Sequence, residues 1–433
     1  MGRRAGALDL RAGAHRERQA RPGNDAVKID APWLRDKPLS DLLAVLDRDG
    51  EEARVVGGAV RNTLLGLPHG DIDIATTALP AEVTRRAHSA GFKVVPTGFD
   101  HGTVTVVIDG RPFEVTTLRE DVETFGRHAT VRFGRDWKRD AERRDFTMNA
   151  LSVSADGTVH DYVGGLADLR ARRVRFIGDA ATRIAEDYLR ILRFFRFHAY
   201  YGEGHPDADG LHAAIITRAG LEQLSRERVR MELMKLMLAP HAVPALAVMA
   251  ECGLLGPVLG GVPHLASFSN MAKVETACGL APDATRRLGA LGVWVTEDAE
   301  RLWQRLRLSN AEHERLAVMG TAWWRASPAM GEDAARRLIY RIGPQYFTDR
   351  MLLAWTRADA SAHDPTWRAL AMTPERWTAP AFPLRAADFI ARGVEKGPVL
   401  GAALARAEAV WIAEGFPLER KTLDEIINHT MGG

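Results

Sequence analysis

The sequence is short of cysteine and of long apolar runs. Cys252 and Cys278 are the two cysteines in 433 residues, too few for a disulfide framework or a zinc site. No stretch approaches the roughly 20 apolar residues that a membrane-spanning helix needs. Net charge is also small, +2 from 58 basic and 56 acidic residues, so bulk charge does not indicate a partner. These shortages exclude a disulfide-stapled domain and a helical membrane protein.

The beginning of the chain lacks apolar periodicity. Residues 1–30 are rich in Arg, Ala and Gly, a composition that predicts a disordered tail. An Arg-rich start resembles an organelle transit peptide, but Asp9, Glu17 and Asp25 argue against one. We therefore expect a cytoplasmic protein, with no membrane and no obligate protein partner.

Two short motifs follow the tail. Residues 55–61 read Val-Val-Gly-Gly-Ala-Val-Arg, and residues 70–76 read Gly-Asp-Ile-Asp-Ile-Ala-Thr. They predict a strand, a glycine turn that opens a helix, and a second strand. Gly57 and Gly58 let the backbone approach a phosphate, and Arg61 is placed to meet it. Asp71 and Asp73 leave one face of a strand because the strand period is two.

Two carboxylates beside such a turn have a chemical use. They are typical of a site for a hard divalent cation on a nucleoside triphosphate. The pattern therefore indicates nucleotidyl transfer.

A hairpin is predicted next. Residues 103–108 and 112–118 are rich in β-branched residues and flank the Asp109-Gly110 turn signal. Glu114 lies on the second of these strands and is a candidate third carboxylate. On spacing alone, an edge-strand charge is an equal alternative.

A second informative stretch is residues 186–197, whose apolar residues cover most of a helix surface and predict a buried helix. It carries charges at a spacing of three, at positions Asp187, Arg190, Arg193 and Arg196. Residues i and i+3 touch, so we expect Asp187 and Arg190 to pair. Each further step turns about 60° round a straight helix. A kink, or separate roles for Arg193 and Arg196, is therefore needed.

The predicted pair of Asp187 and Arg190 suits two of the four bases. Cytosine and adenine each present an amino donor next to a ring-nitrogen acceptor, whereas uracil and guanine present a carbonyl and a ring N–H. A carboxylate accepts from the amino group and a guanidinium donates to the ring nitrogen. The pair would accept C and A and reject U and G. A buried ion pair without a ligand is the alternative.

The rest of the chain is less informative. Residues 120–142 are charged and lack a period, which predicts a mobile loop; its cations are Arg127, Arg132, Arg135, Lys138 and Arg139. After about Val174 the pattern predicts helices to the end, including one that opens at 397–401 and ends near Gly415. The last two hundred residues are rich in Trp and Arg, with Trp294, Trp303, Trp323 and Trp324 as examples, and most tryptophans are expected in cores.

Taken together, the motifs resemble class II tRNA CCA-adding nucleotidyltransferases, which share a superfamily with bacterial poly(A) polymerases. Their signature, Gly-Gly-x-Val-Arg-Asp followed by Asp-x-Asp-Ile-Ala-Thr, is matched except at Asn62, which lacks the usual charge. Five more stretches of the chain resemble motifs of this family. They are residues 114–119, 143–151 and 161–169, the Glu-Asp-x-x-Arg at 186–190 and the Glu-Arg-x-x-x-Glu at 227–232.

The resemblance implies an architecture. An α/β head with a polymerase-beta-like nucleotidyltransferase sheet, at 31–169, would precede an all-α remainder. That remainder would be a neck at 170–240, for base recognition, and a body and tail at 241–433, for tRNA binding. The last motif, with Arg228 and Glu232, would brace the base-recognition helix through paired charges.

The resemblance also implies an activity: addition of CCA to the tRNA 3′ end from CTP and ATP, with release of pyrophosphate. Asp71 and Asp73 would hold two Mg²⁺ ions about 3.5–4 Å apart, with Glu114 beside them. The implied nucleotide contacts are Gly57, Gly58, Arg61, Arg144, Asp187, Arg190, Arg193 and Arg196. For Arg144, an ion pair with Asp145 is an alternative or additional role.

Three alternatives stay open at this point. A poly(A) polymerase uses the same chemistry with ATP alone, although residues 97–103 resemble the CCA-adding branch. A partial enzyme would add only CC or only A. A catalytically silent RNA-binding protein is the third, and the intact Asp71, Asp73, Asp187 and Arg190 argue against it.

Overall fold

The structure, a computed structural model, describes residues 27–99, 102–125 and 128–431. The chain divides into two compact units. The sheet unit takes the described residues up to Leu118 together with Leu151–Asp161. The helical unit takes Arg119–Ala150 and the described residues from Tyr162 onward.

The sheet unit is built on one mixed sheet. Numbered along the chain, its strands are β1 (Ala53–Val56), β2 (Asp73–Thr76), β3 (Lys93–Gly98), β4 (Thr103–Ile108), β5 (Arg111–Thr117), β8 (Ser152–Val153) and β9 (Val159–His160). Their order in the sheet is β3-β4-β5-β2-β1-β8-β9. β2 and β5 are parallel, and the other neighbours are antiparallel. Its helices are α1 (Lys37–Leu46), α2 (Gly58–Leu64) and α3 (Pro80–Ser89).

Apolar alternation explains how this sheet buries its core. Val55, Ile74, Val104 and Val115 are completely buried, and along β5 the residues on either side of Val115 are more exposed. A period of two sends such residues to one face, where they leave water together. Helix α1 adds four buried leucines.

The predicted hairpin is confirmed. β4 and β5 pair from Thr103↔Thr116 to Ile108↔Arg111. Asp109 and Gly110 have φ values of 51° and 77°, and positive φ at both central residues is what a type I′ turn requires.

The predicted tail is shorter than 30 residues. Residues 1–26 lie outside the described residues, but Ile29 N donates to Gly157 O at 2.9 Å and Val159 N donates to Val27 O at 2.8 Å. The prediction of a disordered tail is therefore wrong for residues 27–30. Their order comes from backbone hydrogen bonds to a segment far along the chain, which leave no composition signal.

The prediction of a loop at 120–142 is wrong for the described part of this segment, which has regular secondary structure. The chain forms an antiparallel hairpin of β6 (Arg119–Phe125) and β7 (His128–Phe133), then α4 (Trp137–Glu142), capped by the Asp136 carboxylate. Arg127 lies outside the described residues. A hairpin is held by backbone hydrogen bonds that need no apolar alternation, so there was no hydrophobic period to read.

The helical unit continues with helices to the last described residue. Their bounds are α5 (Gly165–Arg170), α6 (Ala180–Glu186), α7 (Leu189–Tyr201), α8 (Ala208–Ile216), α9 (Arg226–Met237), α10 (Ala242–Glu251), α11 (Leu255–Leu259), α12 (Leu265–Cys278), α13 (Ala284–Gly292), α14 (Thr296–Leu306), α15 (Asn310–Gly320), α16 (Gly331–Ile342), α17 (Pro344–Arg357), α18 (Pro365–Ala371), α19 (Thr373–Arg376), α20 (Ala386–Ile390), α21 (Pro398–Ala413) and α22 (Arg420–Met431). In the part of the chain that the structure describes, no strand follows β9, which confirms the helical prediction. None of the described helices is long and apolar enough to cross a membrane.

The expectation that most tryptophans lie in cores holds for Trp355, Trp367 and Trp411, which are buried, but not for the four quoted from the Trp-rich region. Trp294 and Trp324 are 44% and 58% exposed, and Trp303 and Trp323 are half-buried. Trp294 precedes α14, and Trp323 and Trp324 follow α15, so no long helical period predicts the burial of these three.

Candidate active site

The glycine turn has the predicted geometry. β1 ends at Val56, Gly57 takes φ 69° and ψ −121°, and α2 begins at Gly58. This conformation favours glycine because a Cβ would be strained at positive φ. Arg61 N donates to Gly57 O at 3.0 Å, which closes the first turn of α2. The turn therefore presents its backbone at the end of β1, as the motif predicts.

The departure at position 62 has a structural role. Arg61 is only 6% exposed, and its Nε and Nη2 donate to Asn62 Oδ1 at 3.1 and 2.9 Å. Asn62 Nδ2 donates to Pro68 O at 2.9 Å. An aspartate has no N–H to offer Pro68. Asn62 therefore joins the arginine to the loop that leads into β2.

The carboxylates project from neighbouring positions of the sheet. Asp73 opens β2 and Asp71 lies two residues before it. Both are exposed, and they alternate with Ile72 and Ile74, which are buried. The alternation that the sequence predicts is confirmed, although Asp71 itself precedes the strand.

Glu114 lies next to Asp73. The two residues are register partners in the parallel pair of β2 and β5, so their side chains leave the same face of the sheet. β5 lies between β4 and β2, and the edge-strand explanation of Glu114 is therefore wrong. Glu114 is exposed, so its carboxylate is accessible to a ligand although β5 lies inside the sheet.

This acidic face fits a divalent cation. Carboxylate oxygens are ligands for Mg²⁺, which is commonly held by one or two carboxylates together with substrate phosphates rather than enclosed by protein. Across residues 27–99, 102–125 and 128–431, no group of three or more His, Cys, Asp or Glu side chains is placed to hold a metal ion by itself. A pair of carboxylates open to a nucleotide suits the ion better than a closed site does.

Arg144 and Asp145 do not pair with each other, so the predicted ion pair between them is wrong. Arg144 Nη2 meets Asp140 Oδ2 at 3.1 Å. Asp145 accepts from Arg193 Nε and Nη2 at 2.9 and 2.5 Å. Burial raises the pKa of Asp145, but Arg193 and the hydrogen bond from Asn149 outweigh it and hold that pKa below its ordinary value. Arg193 of α7 is thus bound to Asp145, which lies in the segment between α4 and α5.

The segment that was predicted to recognise the base is broken where a single helix was expected. α6 ends at Glu186, Asp187 is extended with φ −156° and ψ 105°, and α7 begins at Leu189. Asp187 Oδ1 accepts from Leu189 N at 3.1 Å. Short acidic side chains favour this capping of a helix start over a helix interior, which explains the break.

The predicted pairing of Asp187 with Arg190 is wrong. Asp187 Oδ2 accepts from Arg228 Nη2 at 2.6 Å. Arg190 Nη1 instead pairs with Glu186 and donates to Arg183 O at 2.7 Å. Residues i and i+3 are neighbours only on an unbroken helix. Because the helix is broken at Asp187, the side chains of Asp187 and Arg190 have different partners.

Arg193 and Arg196 have the separate roles that their spacing requires. Arg196 Nε donates to Glu232 Oε2 at 2.5 Å, and Arg193 Nη1 lies 3.6 Å from Glu232 Oε1. Arg228 and Glu232 both belong to α9, so the predicted bracing by the last motif is confirmed. Reasoning from the sequence missed Arg228 as the partner of Asp187 and Asp145 as the partner of Arg193. The sequence did place both residues in family motifs, Arg228 at 227–232 and Asp145 at 143–151. A charged residue in a motif needs a partner, but the motif does not say which one.

Comparisons with known proteins agree with this geometry. The family described as "Poly A polymerase head domain" matches residues 53–175. A second family, the "Probable RNA and SrmB- binding site of polymerase A", matches residues 212–268.

Among relatives, the chain is 33% identical over 423 residues to mitochondrial CCA tRNA nucleotidyltransferase 1 of Mus musculus, covering 93% of each protein. It is 32% identical to the CCA-adding enzyme of Limosilactobacillus fermentum, covering 87% of this chain and 93% of the relative. It is similar in structure to the Bacillus stearothermophilus CCA-adding enzyme in complex with CTP, with a TM-score of 0.73 and 28% identity. That match covers 93% of this chain and 99% of the other.

Proposed function

The chain belongs to the family of CCA-adding tRNA nucleotidyltransferases, and from that premise we propose how its residues add C, C and A to the 3′ end of tRNA. The terminal 3′-hydroxyl attacks the α-phosphorus of CTP or ATP, and pyrophosphate leaves. The observation that carries the proposal is the register of Asp73 with Glu114, beside the exposed Asp71. This register supports the proposal because Asp73 and Glu114 leave the same face of the sheet.

We assign Asp71 and Asp73 as the metal ligands. Mg²⁺ held there would supply Lewis-acid stabilisation of the triphosphate and a lower pKa for the attacking hydroxyl. Glu114 orients the hydroxyl from the neighbouring strand. The Gly57-Gly58 turn, Arg61 and Arg144 position the phosphates and the sugar.

Asp187 reads the base in this proposal. Arg228 and the backbone N–H of Leu189 hold its carboxylate, so that it accepts from the amino group of cytosine or adenine. Arg190 donates to the ring nitrogen from Nε or Nη2, since its Nη1 serves Glu186 and Arg183 O. Uracil and guanine leave these groups unpaired, which disfavours them.

Arg193 and Arg196 also contact the nucleotide in this proposal. Asp145 pairs with Arg193 and Glu232 pairs with Arg196, and these ion pairs hold the two guanidinium groups in position. The domain roles predicted from the sequence, with chemistry in the head, base choice in the neck and tRNA binding in the body and tail, are retained as part of the proposal.

Nucleotide incorporation tests the function. The purified protein, Mg²⁺ and labelled tRNA lacking its 3′ end are given CTP, ATP, UTP and GTP singly and mixed. Addition of two C's and one A, then arrest, is the expected result. Long A tails would instead indicate a poly(A) polymerase, and CC or A alone a partial enzyme.

The site assignment has its own control. Asp71→Ala should abolish incorporation, whereas Asp47→Ala, an exposed aspartate at the end of α1, should retain it. Full activity of the Asp71 variant would contradict the metal assignment. Omission of Mg²⁺, with Mn²⁺ or Ca²⁺ added in its place, distinguishes the ion.

We also propose a cytoplasmic location, because Cys252 and Cys278 are free thiols, which fits a reducing compartment. The mouse relative carries the word mitochondrial in its name. Fractionation of the source cells with an antibody against the protein tests the proposal, and recovery in an organelle would contradict it.

A further inference from the structure

The helical unit contains a cavity of about 450 Å³ that none of the assigned site residues lines. It is lined by Arg226, Trp303, Gln304, Arg307, Leu308 and Asn310. Two of these described lining residues are cationic, two are amides, one is a flat aromatic ring, and none is acidic. The volume falls within the range of about 300–1,000 Å³ that small-molecule pockets occupy. This composition favours an anionic ligand that carries a planar, polar-edged ring.

Three backbone and ring contacts fix the cavity walls. The N–H groups of Arg307 and Leu308 both donate to Trp303 O at the end of α14, which ties the ring and the guanidinium to one helix turn. The Trp303 ring stacks on His313, with centroids 4.8 Å apart and planes 21° apart. Its plane is therefore set before any ligand arrives.

Arg226 closes the cavity from a second helix. It is the first residue of α9, and its Nη1 donates to Gln304 O at 2.9 Å. Arg228, which holds Asp187, follows two residues later on the same helix. Residues i and i+2 do not share a helix face, so the cavity is a different place from the base-recognition segment.

Arg307 occupies an unusual backbone position for its residue type. Its φ of 52° and ψ of 48° are left-handed, and glycine is the residue that ordinarily ends a helix in this way. An arginine here is less favourable for the backbone, but it places a second cation beside Arg226. This provides a variant, Arg307→Gly, that removes the charge and suits the backbone.

We propose that this cavity binds one nucleotide of an RNA strand. The phosphate lies between the guanidinium groups of Arg226 and Arg307, whose planar donors match phosphate oxygens. The base lies against Trp303, because a base stacks on an indole ring whatever its sequence. The amides of Gln304 and Asn310 face its polar edges. The inference rests on the proposed function only in taking RNA, rather than a free nucleotide, as the source.

Binding to tRNA lacking its 3′ end, measured by fluorescence anisotropy without CTP or ATP, tests the proposal. Trp303→Ala should weaken binding roughly tenfold, and Trp303→Phe should retain most of the affinity. Arg307→Gly should lower the slope of log affinity against log salt by about 1, the loss of one phosphate contact. Arg376→Ala, an exposed arginine on α19, is the matched control and should change neither quantity.

A second arm distinguishes the source of the nucleotide. The wild type and the same variants are titrated calorimetrically with AMP. Variants that lose AMP binding but keep their affinity for tRNA would overturn the assignment to RNA. Folded variants that bind both ligands as the wild type does would overturn the cavity as a nucleotide site. Since the anisotropy assay contains no transfer step, a wild type that binds tRNA but incorporates nothing contradicts the proposed function and leaves this result standing.

Discussion

Replacement of Arg228 by alanine separates base choice from chemistry. Arg228 lies on α9, and among the residues that the structure describes its acidic partner is Asp187, at 2.6 Å, with the two side chains 18% and 19% exposed. The change leaves Asp71, Asp73 and Glu114 intact. It removes the donor that holds Asp187 Oδ2, and it leaves the Leu189 N–H as the remaining restraint on the other oxygen.

The size of the effect follows from that one bond. A hydrogen bond between charged, mostly buried groups contributes about 1.5–3 kcal/mol. If Asp187 must be held to accept from an amino group, kcat/KM for CTP should fall by about tenfold to about a hundredfold. UTP gains nothing from Asp187, so its kcat/KM should change little. The preference for CTP over UTP should therefore fall by nearly the same factor.

Arg230→Ala is the matched control. Arg230 lies on the same helix and forms a similar ion pair with Glu312, at 2.6 Å. Its loss should lower stability by up to about 1 kcal/mol and leave the CTP to UTP ratio unchanged. Arg228→Lys retains the charge and should restore part of the ratio.

The assay is single-nucleotide incorporation into tRNA lacking its 3′ end, with CTP and UTP measured separately. Thermal unfolding of both alanine variants excludes a general loss of structure. A folded Arg228→Ala enzyme that keeps the wild-type ratio would refute the role given to the Asp187 contact. So would an equal fall for CTP and UTP.

Three further changes test other parts of the structure. Glu114→Gln keeps the shape of the side chain but removes its charge, and kcat should fall by about a hundredfold; an unchanged kcat would make Glu114 structural. At Gly220 an added Cβ would lie 2.0 Å from the Tyr188 ring, so Gly220→Ala should displace the residue beside Asp187 and weaken CTP selectivity, as competition with UTP would show. Arg193 holds the pKa of Asp145 below its ordinary value of 3.8 although burial opposes it, so the unfolded chain binds more protons and stability falls as pH drops through that pKa. The shift in urea midpoint between about pH 5 and about pH 3 should be smaller in Asp145→Asn than in the wild type, and an equal shift would contradict this linkage.

The catalytic face illustrates what local pattern can predict. The alternation of Asp71 and Asp73 with isoleucines, the Asp109-Gly110 turn and the glycine at the end of β1 each depend on a few neighbouring residues. Backbone geometry then decides their placement, so the pattern alone sufficed. Spacing alone left open whether Glu114 is a third carboxylate of the site or an edge-strand charge, and the family resemblance favoured the site.

The charge network could not be read in the same way. Asp187 pairs with Arg228 and Asp145 pairs with Arg193, at separations of 41 and 48 residues. A helix break at Asp187 removed the neighbour relation on which the predicted pair depended. Backbone pairing likewise ordered residues 27–30 and the β6–β7 hairpin without a hydrophobic period.

By itself, therefore, the sequence indicated the superfamily, nucleotidyl transfer and the acidic strand, because these follow from local periods, turns and motifs. Only the tertiary structure decided which arginine holds which carboxylate, that Glu114 lies inside the sheet beside Asp73, and that Trp303 lines a cavity with two arginines. Ion pairs and cavities arise where distant segments pack, and a charged residue has several partners of the right sign until packing selects one.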